Sequence, residues 1–181
     1  MSFLSKLFNS NKEENKKNKD SSAAKDKITI ETSFATFLYA PEEDEIGYEA
    51  QIDWYDKPKD PFAYYSTVEC YIDCNTPDTT EASICLERLT RIFEDRVYTD
   101  SQVKLEAAKH FADEDGLIRN DSGEVVPKEE LMKRMEMYYI SVYRDGRICY
   151  SLNHNLNDLE IDQTEDTVNV EYNDNGEVSV W

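Results

Sequence analysis

Ile46-Gly47-Tyr48-Glu49-Ala50-Gln51-Ile52-Asp53-Trp54 alternates without a break. Ile46, Tyr48, Ala50, Ile52 and Trp54 fall on one side of an extended chain, and Gly47, Glu49, Gln51 and Asp53 on the other. Neighbouring side chains of a strand point to opposite faces, so the pattern predicts a half-buried strand of an antiparallel sheet, packed on one face and polar on the other. Upstream, Ile28 to Tyr39 is rich in Ile, Thr and Phe and reads as one strand, joined to the first by a Pro41 to Glu45 loop. Downstream, Lys57-Pro58-Lys59-Asp60-Pro61 is a turn by its prolines. Tyr64 to Asp73 then alternates again, with Val68, Cys70 and Ile72 on one side and Tyr65, Thr67 and Tyr71 on the other.

The period next changes from 2 to 3.6. Thr76-Pro77 and Asp78-x-x-Glu81 are start signals for a helix whose stripe is Ala82, Cys85, Leu86, Leu89, Ile92 and Phe93, ending near Asp95. Thr99-x-x-Gln102 predicts the opening of a second helix, with Val103, Ala107, Ala108 and Phe111 inward and Gly116 as its stop. Pro127 at N1 predicts a short third helix containing Leu131, Met132 and Met135. Alternation resumes at Tyr138, Ile140 and Val142. Asp145-Gly146 then predicts a two-residue hairpin into Ile148, Tyr150 and Leu152. Val168, Val170 and Tyr172 lead through Asn173-Asp174-Asn175-Gly176 to Val178, Val180 and Trp181, a second hairpin. The expected fold is α+β: a mostly antiparallel sheet of six to seven strands, two to three helices on one face, order βββ-ααα-ββββ. Residues 1–26 read as a tail with a short amphipathic start, and residues 27–181 as one domain.

The chain has 20 Lys and Arg against 39 Asp and Glu, a formal charge of -19 in 181 residues. Residues 1–27 hold seven Lys and four Asp or Glu, so the remainder has 13 bases and 35 acids, or -22, and no Lys or Arg follows Arg147. Such a surface repels phosphate, which excludes nucleic acid as the expected partner and anionic lipid as a surface for the domain body. With 39% hydrophobic residues there is enough apolar material for a packed core. No segment approaches the ~18 apolar residues of a membrane span. Lys6 interrupts Phe3, Leu4, Leu7 and Phe8 too early for a secretory signal. Four cysteines without such a signal read as free thiols in a reducing cytoplasm, so a cytoplasmic location is expected.

Several chemical motifs come close and fall short. Cys70 and Cys74 share a face and could draw in Cys149 or His154, but zinc needs a second tight pair, so small core residues are the reading. Asn120, Ser122, Val125 and Glu129 around Gly123 approach a calcium loop, yet its first position is Ile118 and Pro127 lies inside it. His110 sits one turn after Glu106, where an exposed charge contact accounts for it. His154 is the better general base, with Asp158 or Asp162 near in sequence, but no hydrolase or phosphate-loop signature accompanies it. No cofactor, catalytic set or metal set is expected. The 12 Tyr concentrate on predicted strands, as core filling or as a recognition face.

The strand with Asp53-Trp54, the stripe Ala82-x-x-x-Leu86-x-x-Leu89-x-x-Ile92, the Ala107-Ala108 pair, Asn120 before Pro127-Lys128-Glu129-Glu130-Leu131, and the exit through Met137, Ile140, Val142 and Asp145-Gly146 to a hairpin with Gly176 share one pattern. It resembles the bacterial domain-of-unknown-function family 2262 over about residues 40–181. Members often carry an aromatic-Gly-His turn before the last hairpin, where this chain has Asp166-Thr167. The resemblance implies a bacterial cytoplasmic protein and no particular activity.

Three functions follow as expectations. The first is a non-enzymatic acidic module that docks a basic protein partner, in the manner of an immunity-type neutraliser of a cationic toxin, through Tyr143, Tyr150, Asp158, Glu160, Asp162, Glu165, Asp166, Tyr172 and Asp174. The second is a hydrolase or metal-dependent enzyme using His154 and nearby carboxylates. The third is a structural or assembly protein tethered through its N-terminal segment.

Overall fold

The alternation at 46–54 becomes a strand, Ile46–Asp53, whose Tyr48, Ala50 and Ile52 are buried while Gln51 and Asp53 face outward; Trp54 just beyond it is buried too. The computed structural model describes residues 28–41, 46–55, 67–154, 156 and 167–181. The expected N-terminal tail, most of the Pro41 to Glu45 loop, the Lys57 to Pro61 turn and the start of the Tyr64 strand lie outside those residues.

The described elements are β1 (Thr29–Glu31), β2 (Thr36–Pro41), β3 (Ile46–Asp53), β4 (Thr67–Asp73), α1 (Thr79–Glu94), α2 (Arg96–His110), β5 (Ile118–Arg119), β6 (Val125–Val126), α3 (Lys128–Lys133), β7 (Met135–Val142), β8 (Ile148–His154), β9 (Thr167–Tyr172) and β10 (Val178–Val180). One eight-stranded sheet runs β1-β2-β3-β4-β7-β8-β9-β10, with β5-β6 a separate hairpin. The fold is α+β as expected, with a larger sheet of mixed direction. β4 and β7 are parallel and the other neighbours antiparallel. Parallel neighbours require a long return connection, and the run from α1 through α3 supplies it. Alternation carries no information about strand direction, so this pair was not visible in the sequence.

Helix and sheet meet in a single core. Ala82, Cys85 and Leu89 of α1, Val103, Ala107 and Ala108 of α2 and Leu131 of α3 join Tyr48, Ile52, Cys70, Ile72, Ile140, Tyr150, Leu152 and Val170 from the strands. The helices therefore occupy one face of the sheet.

Other expectations are corrected by local hydrogen bonding. Ile28 to Tyr39 is a hairpin rather than one strand, because the Thr32 hydroxyl accepts from the Ala35 amide (2.9 Å) and donates to the Ala35 carbonyl (2.8 Å), turning the chain back. The second helix opens at Arg96, ahead of Thr99, and ends at His110, well before Gly116. Pro127, with ψ 140°, is the N-cap of α3 and not its first helical residue, and Met135 begins β7. At Tyr138 the ladder shifts register: Met137 pairs with Leu152 and Tyr139 with Ser151. Tyr138 is thus a bulge residue, and Met137 takes the inward place expected of it. The Asp145-Gly146 turn is longer than two residues. Tyr143 N–H donates to the Arg147 carbonyl (2.9 Å) and Gly146 N–H to the Tyr143 carbonyl (3.1 Å), and Gly146 alone has positive φ, 97°.

Candidate functional site

Because every strand alternates, packing the helices on one face commits the other residue set to the opposite face. There Gln51, Glu69, Tyr139, Ser151 and Asn169 lie in one row, closed by Trp181, which exchanges backbone hydrogen bonds with Asn169. Leu38, Glu49, Tyr71, Ser141, Cys149, Glu171 and Ser179 form the next row. Asp53, Asp73 and Glu136 have the same parity, so carboxylates and aromatic rings alternate across a face on which no described helix packs. Ser141 and Ser151 are buried among their larger neighbours, while Glu49, Glu69, Tyr139 and Glu171 are half-buried. Trp181 is 55% exposed.

Gly47 sets the shape of this face. A Cβ there would collide with the Ile72 carbonyl and the Tyr71 ring, so the absence of a side chain lets Tyr71 lie across the backbone. The Tyr71 hydroxyl donates to the Ile46 carbonyl (2.9 Å), and its ring meets Tyr143 edge-on at 6.5 Å.

The parallel pair brings the C-terminal ends of β4 and β7 together with the start of α1, and paired arginines collect there. Arg144 bridges Asp73 (2.9 Å) and Glu81 (3.0 Å). Arg147 bridges Asp145 (2.8 Å) and Glu171 (3.2 Å) and lies 4.6 Å from the Tyr143 ring centre. Glu81 also accepts from the amides of Asn75 (3.1 Å) and Thr76 (3.2 Å), which with the Thr76 hydroxyl hold its carboxyl below the usual range. Asp145 is lowered chiefly by its bond from Arg147. These cations are already committed to carboxylates, and the face keeps an acidic character.

The expected partner-binding residues separate. Tyr143 stands at the edge of the helix-free face. Tyr150 is 4% exposed and belongs to the core, and Tyr172 packs against that core with its ring 5.9 Å from Tyr150. Both point toward the helices, so packing accounts for them. Asp174 is exposed in the β9-β10 turn, 3.3 Å from Arg88. Asp158, Glu160, Asp162, Glu165 and Asp166 lie outside the described residues, as do the carboxylates expected to serve His154. His154 ends β8 with its ring 5.3 Å from Phe111, whose other neighbour is His110 at 5.5 Å. Glu106 pairs with Lys109 (2.7 Å), not with His110.

The near-motifs resolve into structure. Asn120 spends its side-chain oxygen on the Ser122 and Glu124 amides (3.1 and 2.9 Å) and its amide on Glu124, which closes the turn expected to approach a calcium loop. Asn173 does the same with Asn175 and Glu177. Cys70 faces the helices and Cys149 the opposite side, so they cannot share a metal. Among the described residues no group of three or more His, Cys, Asp or Glu is placed to hold a metal ion. Burial pushes the thiols of Cys74 and Cys149 up to about 11 and raises those of Cys70 and Cys85.

One polar cluster escaped sequence reading. Asp100 and Lys104, one turn apart on α2, are 8% and 4% exposed and form a 2.8 Å ion pair. Asp100 also accepts from the Tyr55 hydroxyl (2.9 Å) and the Trp54 ring nitrogen (3.4 Å), and the Met137 amide donates to the Tyr55 oxygen (2.9 Å). The cluster ties α2 to β3 and β7. Burial, then the Asp100 charge, raises the Tyr55 phenol. Nothing in the one-dimensional pattern distinguished these two charges from the exposed ones around them.

Comparison of the chain with family models, with curated proteins and with solved structures finds no match.

Proposed function

We propose that the chain is a non-enzymatic acidic module that docks a basic protein partner on the helix-free face of its sheet, as an immunity-type neutraliser of a cationic protein does. The observation that carries this reading is the alternation of Glu49, Glu69, Glu136 and Glu171 with the half-buried Tyr139 and Tyr143 across adjacent strands, over a floor that includes the buried Tyr71. Tyrosine rings offer rigid contact area, and carboxylates set around them raise the encounter rate with a cation and orient it. The -22 charge of residues 28–181 adds long-range attraction to the local pattern. Membership of family 2262 is part of the proposal and lends it no activity.

Decalysine titrated into the full chain tests the reading, with the emission of the exposed Trp181 as the reporter. Binding should weaken steeply between about 50 and 500 mM NaCl, where the screening length falls from more than 10 Å toward 3 Å. Affinity indifferent to salt would refute it.

A further inference from the structure

We infer that the basic N-terminal segment of this same chain, residues 1–27, is a ligand of the helix-free face, so that a basic partner must compete with it. The inference rests on the docking surface proposed above and supplies its regulation. Composition is the first argument. Residues 1–27 sum to +3 and include Lys6, Lys12, Lys16, Lys17 and Lys19, with Phe3, Leu4, Leu7 and Phe8 grouped around Lys6. The face offers the complement, carboxylates of Glu49, Glu69 and Glu136 set among tyrosine rings. Much of the molecule is acidic, but rings and carboxylates occur together on this face, where both halves of an apolar and cationic segment find partners.

Position and reach are the second argument. The described chain begins at Ile28, whose carbonyl accepts from the Tyr39 amide (2.9 Å), and continues into β1 at one margin of the sheet. Strands are spaced by about 4.8 Å, which puts β4 about 14 Å and β7 about 19 Å from β1. Residues 9–27, nineteen in number, span at most about 65 Å when extended. That reach exceeds the distance to the middle of the face, so the apolar group can engage it within one chain, where tethering raises its effective concentration. Weak contacts suffice under that condition. A partner then gains access by outcompeting the segment, and its apparent affinity rises when residues 1–27 are engaged elsewhere.

Zero-length carbodiimide coupling of the full chain, read by peptide mass spectrometry on a mixture of isotopically light and heavy protein, tests the inference. Lys6, Lys12, Lys16, Lys17 and Lys19 should couple to Glu49, Glu69 and Glu136 about tenfold more than to Glu94, Glu114 and Glu129 elsewhere on the surface, the ratio that about 1.4 kcal/mol of preference produces. The links should lie within one chain, and the preference should vanish at about 500 mM NaCl. Equal coupling to both sets overturns the inference, as does a preference that survives salt. Links between light and heavy chains overturn it in favour of a second copy as the occupant. A face that binds decalysine without coupling to the segment removes the inference and leaves the docking surface intact; coupling without decalysine binding does the reverse.

Discussion

Asp100 shows how much a single buried side chain holds. Its carboxylate receives Lys104, Tyr55 and Trp54 from two elements, so one acid answers three donors that burial takes out of water. Asp100→Ala should cost about 3–5 kcal/mol in urea unfolding, because it removes the carboxylate that balances the buried Lys104 ammonium at 2.8 Å. Asp100→Leu with Lys104→Met should recover most of that loss, since packing replaces the pair. The thiols behave differently. In the folded chain burial pushes the thiols of Cys74 and Cys149 up to about 11, above the ordinary thiol range, and so favours their neutral form. Their contribution is fully present below the unfolded value and lost as pH rises from about 9 through about 11. The urea midpoint should therefore fall over that interval, less so in a Cys149→Ser variant, and iodoacetamide should label Cys149 slowly at neutral pH.

Elements were read well where one force decided them and poorly where two competed. The stripe Ala82, Cys85, Leu89 located α1 almost to the residue, since apolar burial and the Asp78 cap agree; Asp78 Oδ1 accepts from Thr80 N–H at 2.8 Å. Thr32 and Tyr138 were misread because a side-chain hydrogen bond or a bulge overrode an unbroken β-propensity. Four glycine turns share one geometry, with positive φ at Gly116, Gly123, Gly146 and Gly176, but their surroundings differ. A Cβ on Gly123 would meet nothing within 4 Å, whereas one on Gly146 would strike Asp174. Gly123→Ala should cost only the left-handed backbone term, about 1–2 kcal/mol. Gly146→Ala should cost at least about 1 kcal/mol more through overpacking, and Asp174→Gly, which removes the Cβ at 2.7 Å together with the carboxylate, should relieve that excess in the double variant. Matched thermal and urea unfolding of the three variants checks the order.

At the scale of the whole molecule, charge was legible and its placement was not. The sequence located the acid excess after Arg147, but Glu171 is answered there by Arg147 and Asp174 by Arg88. The face proposed for docking is assembled from β3, β4, β7, β8 and β9, and strand order brings Glu49, Glu69 and Glu136 together across nearly ninety positions. Periodicity pointed Glu49 and Glu69 away from the core, but run back from Tyr138 it would have turned Glu136 inward; the bulge at Tyr138 sets Glu136 outward, and the parallel pairing of β4 with β7 brings its strand beside that of Glu69. That placement, and not the -19 itself, is the central claim. Two triple variants of the full chain separate them: Glu49→Gln, Glu69→Gln, Glu136→Gln on the face, and Glu94→Gln, Glu114→Gln, Glu129→Gln away from it. Both remove the same charge. Decalysine affinity at about 50 mM NaCl should drop about tenfold or more in the first and by no more than about twofold in the second. Equal losses in the two variants would mean that net charge alone binds the cation, and would contradict a docking face.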